Sequence, residues 1–88
     1  MFNNIEIKDA KQEIGQVIKI VRKRRKLTQI DLAKSLDVSR NTIQNLESGK
    51  NFTIDTLFKI LKEFDLLDKV YDEILEAKKE IKQTKSLY

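Results

Sequence analysis

Between Arg40 and Ser48, five side chains with hydrogen-bonding ends recur on one side of a helical repeat: Arg40, Asn41, Gln44, Asn45 and Ser48. At 3.6 residues per turn, this spacing stacks them on a single face. Their chemistry is narrow. Arginine carries a planar fork of donors, and Asn and Gln carry a donor beside an acceptor, so the face is one of hydrogen-bonding groups. Proton transfer and nucleophilic attack lie outside its range. The chain has no Cys and no His, which removes thiolate nucleophiles, imidazole bases, disulfides and Cys/His zinc sites together. The carboxylates Asp72, Glu73, Glu76 and Glu80 stand among lysines and read as charge pairing along a helix surface. Neither an enzyme nor a cofactor or metal is expected. The plainer reading of the polar face is ordinary solvation. Two asparagines, poor helix formers, argue against it, because they cost helix propensity without an evident gain.

The elements that hold this face can be read from their ends. Ser39 is the expected N-cap, with Val38 and Ile43 spaced as a hydrophobic staple. Ile43, Leu46 and the stem of Glu47 form a narrow inner side, and Gly49 ends the helix where a left-handed residue is tolerated. Just before it, Thr28 opens another helix, with Leu27 in the staple position and Asp31 completing a capping box. Leu32, Ala33 and Leu36 supply its inner face, and Asp37 stops it. Two short helices joined by so tight a turn must cross steeply, with a small residue such as Ala33 at the crossing.

The flanks are helical too. With no Pro and only two Gly, little interrupts the backbone. Asp9 and Gln12 have the spacing of a capping box, and Ile14, Val17, Ile18 and Val21 follow at helical intervals. Residues 19–26 hold six basic side chains in eight. Thr53 caps a fourth helix carrying Leu57, Ile60, Leu61 and Phe64. After Asp65, a fifth, C-terminal helix is expected over about residues 67–82 from Leu67, Val70, Tyr71, Ile74 and Ile81. Residues 1–8, where Ile5-Glu6-Ile7-Lys8 alternates, are expected as a flexible arm or short strand, and residues 83–88 as a frayed tail. Eighty-eight residues suit one domain, and no apolar run exceeds two residues, far short of the roughly 20 that span a bilayer. No signal-peptide pattern opens the chain, so a cytoplasmic protein without membrane contact is expected.

The run Leu27-Thr-Gln-Ile-Asp-Leu-Ala-Lys-Ser-Leu-Asp-Val-Ser-Arg-Asn-Thr-Ile-Gln-Asn-Leu-Glu-Ser-Gly-Lys50 resembles the helix-turn-helix of the Cro/lambda-repressor family, and the likeness extends over roughly residues 10–75. It implies an all-α, five-helix, lambda-repressor-like DNA-binding domain over residues 9–82, with the helix-turn-helix at 28–48 and an extended C-terminal helix. By the same resemblance, the third helix enters the major groove, and Arg40, Asn41 and Asn45, joined by Gln44, read bases. Arg can fork onto guanine, and Asn or Gln can pair with adenine. Thr28, Gln29, Ser39 and Lys50 fall at positions that meet backbone phosphates. Arg22 and Glu47 match a partly buried ion pair tying the first helix to the third. Three departures stand out: Asp37 and Asp65 replace frequent glycines, and the loop before the fourth helix, Lys50-Asn51-Phe52, lacks a frequent proline.

The implied function is a bacterial or phage transcriptional regulator, with repression the expected outcome. It would bind double-stranded DNA at a palindromic operator as a homodimer, with Ile74, Leu75 and Ile81 of the last helix covered by the partner. An antitoxin paired with a toxin protein, or a restriction–modification controller, is the nearest alternative. A protein-interaction adaptor without DNA binding is the alternative from another class. The net charge of +4 is unevenly distributed: residues 1–36 carry +5, residues 37–52 carry 0 and residues 53–88 carry −1. General attraction to a polyanion therefore belongs to the first two helices, while the amide-rich third is neutral.

Overall fold

The computed structural model describes residues 4–83. Five helices follow one another: α1 (Ile7–Arg24), α2 (Gln29–Leu36), α3 (Arg40–Glu47), α4 (Ile54–Glu63) and α5 (Leu67–Gln83). Among the described residues there is no strand. Three N-caps stand where the sequence places them. Thr28, Ser39 and Thr53 each accept, through the side-chain oxygen, the backbone N–H three residues on.

The start of α1 differs from expectation. The helix begins at Ile7 and not after Asp9, so Ile7 and Lys8 are helical instead of belonging to an arm or strand. The Glu6 N–H donates to the Asp9 carboxylate at 2.9 Å. Asp9 is thus the inner member of a capping box set one turn earlier, and Gln12 has no part in it. The arm's residues 1–3 lie outside the described residues. At the other end α5 reaches Gln83, and residues 84–88 of the expected tail fall outside them as well.

One device closes four of the helices. Lys26, Asp37, Gly49 and Asp65 each take a left-handed backbone, with φ between 57° and 78°. In each case the next residue's N–H reaches a carbonyl five positions back: Leu27 to Arg22, Val38 to Ala33, Lys50 to Asn45 and Leu66 to Leu61. These are Schellman closures, which satisfy carbonyls left over at a helix end. Asp tolerates this geometry, but Lys26 carries no sequence signal for it.

The closures turn the helices back onto one core. Ile18, Leu32, Ile43, Leu46 and Ile60 are fully enclosed, with Ala33, Leu61 and Phe64 nearly so. Phe52 packs half-buried against this cluster, filling the loop that lacks proline. Val17, expected on the inner side of α1, is instead 45% exposed. Where α1 crosses α3, the backbones meet directly. A Cβ on Gly15 would lie 2.5 Å from the Glu47 carbonyl oxygen and 2.6 Å from that of Leu46. In contrast, α5 buries no residue fully.

Candidate nucleic-acid interface

The geometry of α3 divides its side chains sharply. Ile43, Leu46 and Glu47 are buried, while Arg40, Asn41, Gln44 and Asn45 are all exposed on the other side. Among the described residues, no protein group engages those four side chains. The hydroxyl of Ser48 donates to the Gln44 carbonyl at 3.0 Å, so it belongs to the helix end and not to the open face.

Beneath this face lies the Arg22–Glu47 pair. Arg22 Nε donates to Glu47 Oε2 at 2.6 Å and its Nη2 to Oε1 at 3.0 Å, a two-pronged contact. The third guanidinium nitrogen, Nη1, donates to the Leu27 carbonyl at 2.8 Å. Both residues are more than nine-tenths buried. A buried charge is costly unless its polar atoms are matched, and here every buried nitrogen and oxygen of the pair has a hydrogen-bond partner. The pair fixes the C-terminal end of α3 against α1.

A further partner was not foreseen. The Gln29 amide nitrogen donates to Glu47 Oε1 at 3.1 Å, so this residue, expected at phosphate, spends one amide hydrogen inside the protein. Thr28 is also occupied: its N–H donates to the Asp31 carboxylate at 2.9 Å, and its hydroxyl accepts from the Asp31 N–H at 3.0 Å. The backbone N–H and hydroxyl of Thr28, in that order, hold the Asp31 carboxyl below the usual carboxylate range. Ser39 Oγ caps Thr42 and shares a hydrogen bond with its hydroxyl at 2.8 Å. Lys50, past the left-handed Gly49, is exposed.

The basic run at the end of α1 is not one solvated patch. Arg22 is internal. Arg25 reaches α4, with its guanidinium carbon 5.1 Å from the centre of the Phe64 ring and its nitrogens bonded to the Glu63 carbonyl and the Asp65 carboxylate. Lys23, Arg24 and Lys26 remain exposed. Lys11 ties α1 to the loop after α3 through the Asn51 side chain at 2.9 Å. The sequence held a further clue, to the close α1–α3 crossing and not to these links. Gly15 interrupts an otherwise strong helical pattern, and a mid-helix glycine costs about 1 kcal/mol against alanine unless a close approach requires it. No cluster of metal-ligating side chains occurs among the described residues, and no helix is long and apolar enough to cross a membrane.

Two short capped helices in a tight crossing, the second with an unoccupied face of Arg and amides, define a helix-turn-helix DNA-binding domain. The helix-turn-helix family model matches residues 18–68, and the chain belongs to that family, of the Cro/lambda-repressor type. Helix-turn-helix domains of this family are characteristic of DNA-binding transcription regulators. The chain is also similar to "Antitoxin HipB" of Escherichia coli (strain K12), with 36% identity over 55 residues, covering 61% of this chain and 62% of that relative. The match therefore spans less than two thirds of the relative's length.

Proposed function

We propose that this protein reads a DNA sequence in the major groove through Arg40, Asn41, Gln44 and Asn45, and represses transcription from the cytoplasm by occupying a palindromic operator. The observation that carries the reading is the α3 face. Four long hydrogen-bonding side chains stand exposed and unengaged on a helix whose opposite side is anchored by a buried ion pair. Rigid support with free ends suits direct readout, because the protein does not have to order its own elements upon binding. Gln29 and Lys50 would meet phosphates beside this face, together with the N-termini of α2 and α3 at Thr28 and Ser39.

A homodimer suits the proposal. Ile74, Leu75 and Ile81 are exposed along α5, where a second copy could cover them, and dimers of helix-turn-helix proteins bind half-sites about one helical turn apart. The test is selection of bound sequences from a random DNA pool, followed by titration of variants. Arg40→Ala should cost about 1–3 kcal/mol and relax preference at one base pair, whereas Gln29→Ala should weaken all sequences alike. Loss of affinity in both without a change in preference would remove Arg40 from readout.

The similarity to an antitoxin favours a second reading, in which this chain neutralises a toxin protein and α5 supplies the holding surface. Co-expression with the product of a neighbouring gene distinguishes the two. Rescue of growth and co-purification support the antitoxin, and their absence leaves the simple repressor.

A further inference from the structure

We infer that the buried pair Arg22–Glu47 acts beyond folding, as a positioning device for Gln29 on the DNA backbone; this rests on the proposed role of Gln29 as a phosphate ligand. Glu47 Oε1 accepts two hydrogen bonds at once, from Arg22 Nη2 at 3.0 Å and from Gln29 Nε2 at 3.1 Å. The carboxylate is an acceptor only, so it settles the orientation of the Gln29 amide, with nitrogen toward Glu47 and oxygen away. One amide hydrogen is consumed, and the second is left for an external acceptor. Arg22 in turn holds the carboxylate in place through its two-pronged contact, and Gly15 lets the Glu47 backbone sit against α1.

The physical gain is preorganisation. A free glutamine at the first position of a helix samples many rotamers, and ordering it on binding costs conformational entropy. With Glu47 holding it, that ordering is complete before DNA arrives. The same carboxylate therefore links three elements: α1 through Arg22, α3 on which it stands, and the first residue of α2.

The inference separates affinity from stability. Replacing the pair by apolar residues of similar length, Arg22→Met with Glu47→Met, often leaves a fold intact because no buried charge is stranded. In that background the melting temperature should stay within a few degrees, while affinity for the selected DNA falls about 5- to 10-fold. Gln29→Ala should cause a similar loss in the wild type and less than a further 2-fold loss in the Met/Met background. A full additional loss there, or unchanged affinity in the Met/Met protein, would overturn the inference while leaving Gln29 at phosphate. If Gln29→Ala does not weaken the wild type, the reading of Gln29 itself fails, and this inference with it. A measurement on the wild type guards against a Met/Met chain that does not fold. In NMR spectra of the free protein, one of the two Gln29 side-chain amide protons should exchange slowly with solvent, and the other should shift on addition of DNA. Equal, fast exchange of both would also overturn it.

Discussion

The α1–α3 crossing and the outer half of α5 are both helix surfaces of this small protein, yet they obey opposite rules. At the crossing, backbone touches backbone at Gly15, and a matched ion pair sits more than nine-tenths buried. Along α5 every residue from Tyr71 to Gln83 is exposed, including Tyr71, Ile74, Leu75 and Ile81. The crossing is over-determined, because each contact there constrains the same few atoms around Glu47. Among the described residues, α5 buries no side chain fully, and its packing on the core runs through the half-buried Leu67 and Val70 in its first turns. The tight region lies beneath α3, which suits the reading face proposed there. The proposed partner surface on α5 would stay open until a second chain covers it.

The contrast can be broken most forcefully at Glu47. Glu47→Ala strands the Arg22 guanidinium in the interior and should destabilise the fold by about 3–5 kcal/mol, read from the denaturant midpoint. An unchanged midpoint would mean that water reaches Arg22 readily and that the crossing is loose. Gly15→Ala comes next. In an open helix alanine would gain about 1 kcal/mol over glycine. Here its Cβ meets two carbonyl oxygens that cannot rotate away, so a net loss of about 1–3 kcal/mol is expected. A rise in melting temperature would reverse that sign and show that the helices can separate without cost.

A smaller, pH-dependent effect is expected at the start of α2. The Asp31 carboxyl is held below its ordinary range by Thr28, so its contribution is complete above the unfolded-state value and is lost as pH falls through the lower folded value. The stability difference between wild type and Asp31→Asn should therefore be constant near neutrality and shrink in acid. A difference that persists in acid would assign the effect to shape and not to charge. The smallest effect on folding belongs to α5. Ile81→Ser should change folding stability by no more than about 0.5 kcal/mol, as expected for an exposed site, while weakening self-association in sedimentation experiments. If it unfolds the monomer instead, α5 is core and the comparison fails.

Much of this protein is written locally in its chain. Thr28 with Asp31, Ser39 and Thr53 mark helix starts because a cap is a contact between residues three apart. Asp37, Gly49 and Asp65 mark helix ends because left-handed backbone narrows the choice of residue. The polar face of α3 follows from periodicity alone, and the match to the helix-turn-helix family agrees with the run from Leu27 to Lys50. At Asp9 the same local logic was one turn out, because Glu6 and Asp9 make as good a box as Asp9 and Gln12 would.

Tertiary structure decided what depends on distant residues meeting. Lys26 turns left-handed because the chain must reverse there, although its own side chain does not favour it. Arg25 looks like any member of a basic run until Phe64 and Asp65, some 40 positions away, come within reach. Gln29 is a surface residue by type, and only the arrival of Glu47 from α3 turns it into a held one. The sequence determined which helices form and which face of α3 carries the hydrogen-bonding groups, since both rest on short-range periodicity and caps. How firmly that face is held, and through which side chains, depended on packing between helices, where a few ångströms separate a solvated charge from a buried pair.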